Sequence, residues 1–317
     1  MSRSLRIGTR GSALALWQAR HVKTLVRALP GSPPVELVHI KTEGDVRTEV
    51  PLWALRGRSF FTKEIDRALL AGEVDIAVHS LKDVATVLEP GTELAAVLTR
   101  EDPRDALLTR SGAPLAALPP GVRIGTSSLR RRAFLARARP DAQLLELRGN
   151  VPTRIERLVR GDYDAIVLAA AGLKRLALEQ HISELLPPEQ LPPAVSQGAI
   201  AVCARADDRD TWHWLAPLDD APARLATTAE RALLKRIEGG CQVPLGALAQ
   251  VHGDVLELLA GVCSLDGTQL LAHRAWAPAE LKSAAPLGEQ VAEELLARGA
   301  AKLIAHERSS RAVPEEP

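Results

Sequence analysis

A short phrase occurs twice in this chain, in the same order and with the same neighbours, and it limits the possible folds more than any other feature. Arg6-Ile7-Gly8-Thr9 returns as Arg123-Ile124-Gly125-Thr126, and a serine, Ser12 or Ser128, follows each copy where it can cap a helix. Further along each half, Gly72-Glu73-Val74-Asp75-Ile76-Ala77-Val78 is echoed by Gly161-Asp162-Tyr163-Asp164-Ala165-Ile166-Val167. In the first half, apolar residues at helical spacing (Val22, Leu25, Val26 and Leu29, then Ile65, Ala68 and Leu69) alternate with apolar runs at 35–40 and 74–78. Strands alternating with helices predict mostly parallel sheets with helices on both faces. The repetition predicts two α/β domains of similar build facing one another. Ligands of such sheets bind beyond the carboxyl ends of the strands, here in the cleft between the domains.

The length of 317 residues with 46% hydrophobic content supplies cores for two or three domains. Glu101-Asp102-Pro103 follows a strand at 94–98 and can serve as a hinge. The proline pairs at 187–188 and 192–193 flank a second crossover, after which a strand at 200–204 returns to the first domain. A helix then runs to Arg236 with Leu225, Ala229, Leu233 and Ile237 on one face, and strands at 255–262 and 270–276 and a helix at about 286–298 complete the chain. The expected architecture is two similar periplasmic-binding-protein-like α/β domains around a cleft plus a smaller α+β C-terminal domain. The boundaries are 1–99 with 197–217, then 100–196, then 218–317, with a disordered tail after residue 307.

A net charge of +1 and an aromatic content of 3% argue against a nucleic-acid binder or a base-stacking platform. Three cysteines without close pairing do not suggest a disulfide framework. The chain starts without an apolar signal region and has no apolar run of membrane-spanning length, so a cytoplasmic protein with no membrane partner is expected.

Four segments carry chemistry. Glu238-Gly239-Gly240-Cys241-Gln242-Val243-Pro244-Leu245-Gly246 presents a lone cysteine on a loop between glycines and a proline. Cys241 is either a buried apolar thiol, a nucleophile or a covalent tether. No motif supplies a histidine partner, and no second cysteine is near enough for zinc, so no metal site is expected. Val78-His79-Ser80-Leu81-Lys82-Asp83 ends a strand where the cleft should open. Asp83 suits a general acid/base or the stabiliser of a cation, and Lys82 suits an anion contact or an imine. The plain alternative is a solvated ion pair, and His79 reads as structural. In Gly125-Thr126-Ser127-Ser128-Leu129-Arg130-Arg131-Arg132, a turn and a helix start surround an anion site with N–H groups and hydroxyls. Arginines there oppose the helix dipole unless an anion is bound. Arg10 in the matching turn, Arg148 and Arg154 around a further turn, and Lys174-Arg175 add cations. Together these residues describe an arginine-rich cleft with one exposed thiol and one strand-end aspartate, suited to a substrate carrying several carboxylates.

The segment from Glu230-Arg231 through Gly246 resembles the cofactor-attachment signature of the porphobilinogen deaminase (hydroxymethylbilane synthase) family. Ile7 to Arg10, Val78 to Asp83, Arg100-Glu101-Asp102-Pro103-Arg104-Asp105, Gly125 to Arg131, Leu147 to Arg154 and Ala171 to Leu176 agree as well. The resemblance covers residues 5 to about 304. It implies a transferase that condenses four porphobilinogen molecules head to tail with loss of ammonia, on a dipyrromethane cofactor held by a thioether, to give hydroxymethylbilane for tetrapyrrole synthesis. Cys241 is then a permanent tether. Asp83 is the implied catalytic residue, stabilising the cationic azafulvene formed as ammonia leaves. Lys82, Thr126, Ser127, Ser128, Arg130 and Arg131 are implied cofactor contacts. Arg10, Arg148, Arg154 and Arg175 are implied contacts to substrate acetates and propionates, together with Arg130 and Arg131. The resemblance also implies a monomer.

The chain departs from the family pattern at Arg56-Gly57-Arg58-Ser59-Phe60-Phe61, an implied mobile lid in which Arg58 keeps the cation and Arg56 and Ser59 replace glycines. Ser196 stands where glycine is usual, and Ala85 where proline is usual. The rival reading is a non-catalytic two-domain anion-binding protein, which accounts for the repeated halves but leaves the Gly-Gly-Cys segment without a role.

Overall fold

The repeated phrase is a repeated ion pair. In the computed structural model, which describes residues 3–42, 62–237 and 243–309, Asp75 accepts from the backbone N–H of Arg6 at 2.9 Å and from its Nε at 3.0 Å. Asp164 accepts from the backbone N–H and Nε of Arg123 at 3.0 and 3.1 Å. The outer guanidinium nitrogen reaches the Gly72 carbonyl in one half and the Gly161 carbonyl in the other. An arginine opening one strand and an aspartate before the neighbouring strand thus fix the same parallel register twice.

Strands β1 (Leu5–Thr9), β2 (Val35–His39), β3 (Ile76–Ser80) and β4 (Thr92–Val97) belong to a first sheet. Strands β5 (Asp105–Thr109), β6 (Arg123–Gly125), β7 (Gln143–Leu145), β8 (Ala165–Ala169) and β9 (Glu184–Leu185) form a second. The chain then returns as β10 (Ile200–Arg205), giving the orders β2-β1-β3-β10-β4 and β7-β6-β8-β5-β9. The two orders match position for position. Four strands of each sheet run the same way, and the strand entering from the other unit, β10 or β5, runs antiparallel between its neighbours. The expected mostly parallel sheets are therefore mixed, because each crossover inserts its strand inside the receiving sheet and not at its edge.

Helices α1 (Ala13–Arg27) and α2 (Lys63–Leu70) cover the first sheet, and α3 (Leu129–Ala138), α4 (Val151–Arg160) and α5 (Ala170–Arg175) the second. Ser12 and Ser128 cap α1 and α3 by accepting from Ala15 N and Arg131 N. The repeated glycines are needed for close packing. A Cβ on Gly8 would lie 3.1 Å from side-chain atoms of Ile65 and Val74, and one on Gly125 would lie 2.8 Å from the Tyr163 ring.

After α6 (Arg209–Leu215), helix α7 (Ala221–Arg236) leads to an antiparallel sheet of β11 (Leu245–His252), β12 (Val255–Cys263) and β13 (Leu270–Pro278). Helices α8 (Leu281–Ala297) and α9 (Ala300–Ser309) follow. Leu233 of α7, Leu256 and Leu258 of β12, and Val291 and Leu295 of α8 share one core. Two expectations need correction here. The strand β11 was not anticipated, since its alanines and glycine carry little β preference. The last long helix begins before Pro286, which lies inside α8. Cys203 and Cys263 are buried thiols and form no disulfide.

The two crossovers meet at one buried carboxylate. Glu230 of α7, fully buried, accepts from Arg100 on the first crossover at 2.6 and 3.2 Å, from Ser196 N on the second at 2.5 Å, and from Ala249 N of β11 at 2.7 Å. Ser196 has φ 62°, and its buried hydroxyl has no hydrogen-bond partner among the described residues. Left-handed backbone costs a non-glycine residue about 1–2 kcal/mol, and an unsatisfied buried hydroxyl adds to that. Ser196→Gly is expected to stabilise the protein by about 1 kcal/mol, after part of the gain is offset by the freedom of glycine in the unfolded chain. Urea denaturation of the two proteins measures this, and an unchanged or lower midpoint contradicts it.

Candidate active site

The cleft opens where the fold predicts, at the carboxyl ends of the parallel strands of both sheets. It is lined by Ser80 at the end of β3, Lys82 just after it, Arg131 of α3, Arg154 of α4, Arg175 of α5, Gln197 of the second crossover, and apolar or glycine positions between them. Lys82 follows directly from β3, in the single 3-10 turn Leu81–Asp83. Arg231 of α7 fastens the chain beyond that turn by donating to the carbonyls of Val84 and Ala85 at 3.0 and 2.6 Å. The helix that runs toward the Gly-Gly-Cys segment therefore also holds the Lys82-Asp83 turn.

Asp83 is half-buried and lies within electrostatic range of Lys82 and of Arg154. Burial pushes the Lys82 ammonium down to about 8; Asp83 and Asp105 oppose that shift, while Arg131 and Arg130 reinforce it. Burial also brings Arg154 down to about 10, helped by repulsion from Arg131 and Arg148, and brings Arg175 down to about 10 against the pull of Glu101. Arg148 is lowered by burial as well. Arg175 donates to the Gly198 carbonyl at 2.6 Å and stands 5.8 Å over the Trp17 ring, and Arg154 Nε donates to the Gly149 carbonyl at 2.7 Å.

Arg130 and Arg131 sit in the first turn of α3, and the charge they meet there is internal. Asp105, fully buried on β5, accepts from Arg130 at 2.7 Å, from Arg131 at 2.7 and 3.1 Å, and from Gln197 at 3.0 Å. Arg130 also donates to the Pro192 carbonyl and Arg131 to the Val167 carbonyl. Asp105 thus supplies the counter-charge that the sequence alone assigned to a ligand. Arg131 still lines the cleft, and the Nε of Arg130 has no hydrogen-bond partner among the described residues.

Ser127 donates its hydroxyl to the Leu147 carbonyl, and the Thr126 hydroxyl accepts from Ser128 N at 3.2 Å. Both hydroxyls thus bind backbone, and Ser128 serves as the cap of α3. Arg10 lies close enough to His79 to help burial lower that imidazole to about 4. His79 is buried on β3, as its structural reading implies. Cys241, Arg58 and Phe61 lie outside the described residues. Asp105 and Gln197 are site residues that sequence reasoning missed. Asp105 was visible only as the end of the Arg-Glu-Asp-Pro-Arg-Asp motif, and its partners are 25, 26 and 92 positions away.

Two matched α/β units that line a cleft with guanidinia and one ammonium, joined at their crossovers to a third unit, define a class of cleft protein suited to polyanionic small molecules. The family profile described as porphobilinogen deaminase, dipyromethane cofactor binding domain, matches residues 5–213, and the one described as porphobilinogen deaminase, C-terminal domain, matches residues 224–297. The chain belongs to the porphobilinogen deaminase family. It is 50% identical over 305 residues to the porphobilinogen deaminase of Roseiflexus sp. (strain RS-1), covering 96% of this chain and 100% of that one. It is 49% identical over 305 residues to that of Syntrophotalea carbinolica, covering 96% of each. Among solved structures, the methionine binding protein MetQ superposes on 72% of this chain and 93% of its own, with 13% identity and a TM-score of 0.44.

Burial by itself would raise the Asp105 pKa, but attraction to Arg130 and Arg131 and their hydrogen bonds hold it well below the usual carboxylate range. A depressed carboxylate stabilises the fold fully above its unfolded value, about 3.9, and that contribution is lost as the pH falls from there toward the folded value. Asp105→Asn is expected to cost about 3–5 kcal/mol at neutral pH by stranding two buried guanidinia. The deficit against wild type should narrow below about pH 4. Denaturant titrations across pH test both statements, and a constant difference would refute the second.

Proposed function

We propose that this chain is a hydroxymethylbilane synthase, condensing porphobilinogen with loss of ammonia on a dipyrromethane attached to Cys241. The observation that carries this reading is the charge of the cleft, whose described lining includes Lys82, Arg131, Arg154 and Arg175. Burial lowers Lys82, Arg154 and Arg175, and repulsion from neighbouring arginines adds to the shift of Lys82 and Arg154, so all are relieved by bound anions. A dipyrromethane and a porphobilinogen each bring acetate and propionate groups, which fit such a lining in charge. Arg10, Arg130 and Arg148, together with Thr126, Ser127 and Ser128, stand around the same strand ends and turns and extend the contacts proposed for cofactor and substrate.

When bound, the dipyrromethane supplies the pyrrole carbon to which the first substrate is joined. The remaining work falls to side chains of this chain. Paired arginines orient each pyrrole through its carboxylates and convert an encounter into a positioned approach. The carboxylate of Asp83 faces the positive charge that develops at the aminomethyl carbon as ammonia leaves, and it can accept or return a proton at that group and at the pyrrole. The Lys82 ammonium beside it balances the carboxylate. The same reading divides the chain into 1–99 with 197–217, 100–196 and 218–317, a division supported by the three sheets and the return of β10 to the first.

Intact-mass spectrometry of protein from cells that make porphobilinogen is expected to show a two-pyrrole adduct, absent in Cys241→Ser. An unmodified wild-type mass would refute the tether. Asp83→Asn is expected to keep the adduct and lose at least about a hundredfold in kcat. Activity within a few-fold of wild type would remove Asp83 from this role.

A further inference from the structure

Gln197 is 1% exposed and stands in the second crossover, between the strained Ser196 and Gly198. Its amide reaches both sheets. Oε1 accepts from Lys82 Nζ at 3.2 Å, on the turn that ends β3. Nε2 donates to Asp105 Oδ1 at 3.0 Å, on β5, and to the Pro103 carbonyl at 2.8 Å, on the first crossover. Its backbone carbonyl accepts from Arg100 Nε at 2.9 Å. The orientation of the amide is not arbitrary. A carbonyl and a carboxylate can only accept, so the NH₂ end must face Pro103 and Asp105, which leaves the oxygen for the ammonium.

We propose that Gln197 is a positioning residue for the deaminase reaction, a clasp between the two α/β units that holds the Lys82 ammonium beside Asp83 and favours its protonated form. The proposal rests on the reading of Asp83 as the catalytic carboxylate. Among the described residues, the charged groups facing Lys82 include Asp83 on its own turn, Asp105 on β5, and Arg130 and Arg131 on α3. Two of these favour the ammonium and two oppose it, burial opposes it most of all, and the Gln197 oxygen adds a neutral acceptor at hydrogen-bond distance.

The test is the titration of Lys82 in the holoenzyme labelled with ¹³C,¹⁵N-lysine, followed through the Nζ shift and assigned by the signal missing in Lys82→Arg. Gln197→Met keeps the length and removes the acceptor. Its Lys82 midpoint is expected to fall by about one unit, a tenfold change in the ratio of ammonium to amine. Gln197→Glu keeps an acceptor and adds charge, so its midpoint should rise above wild type. The basic limb of the kcat profile should follow each midpoint while KM changes little. Opposite shifts in the two variants support the clasp. A shift of less than about 0.3 unit in either one, or shifts in the same direction, overturns it. Because the midpoints are read without turnover, they stand apart from the Asp83→Asn result, which tests the catalytic reading alone.

Discussion

Asp105 is a full charge with no access to water, and it is tolerated only because Arg130, Arg131 and Gln197 converge on it. Removing such a charge from solvent costs several kcal/mol before its partners are counted, so the partners must be present and correctly placed. Each partner comes from a different requirement of the fold. Arg130 and Arg131 belong to the first turn of α3, Gln197 to the second crossover, and Asp105 to the strand that enters the second sheet from the first crossover. Satisfying one carboxylate therefore fixes the start of a helix, the position of a strand and the spacing of two crossovers. The cleft inherits its shape from that arrangement.

The third unit extends the same logic. Glu230 gathers Arg100 from the first crossover and Ser196 from the second, and Arg231, the next residue, holds the carbonyls after Asp83. One turn of α7 thus touches both crossovers and the Lys82-Asp83 turn. Neighbouring residues on a helix point in different directions, which is how a single turn can serve the hinge on one side and the site on the other. The backbone strain at Ser196 sits within this knot, where the hydrogen bond from its N–H to Glu230 helps to retain a conformation that serine disfavours.

The two-fold repetition was legible in the sequence because its causes are local. Arg6 and Asp75, like Arg123 and Asp164, mark the edges of adjacent strands, and Gly8 and Gly125 mark the close contact behind them. The insertion of β10 and β5 as antiparallel strands was not legible, because it depends on where a crossing chain finds unpaired backbone in the other unit. Nor were Asp105 and Gln197, whose significance arises only when residues far apart in sequence meet. The cations Lys82, Arg131, Arg154 and Arg175, which the sequence places at strand-end and helix-start turns, line the cleft. What could not be read was that Arg130 and Arg131 share a carboxylate already present in the protein.

That shared carboxylate changes the meaning of the arginine surplus. If every guanidinium in the cleft were uncompensated, repulsion would oppose closure of the two units, and the site would form only around its ligand. With Asp105 neutralising part of the charge of Arg130 and Arg131, the cleft keeps its shape while Arg154 and Arg175 keep their charge beside it. The division suits a ligand that grows. On the proposed function, the inner arginines are held in place by the fold and the outer ones meet the carboxylates of the lengthening pyrrole chain, without the second sheet losing the interaction that orders it.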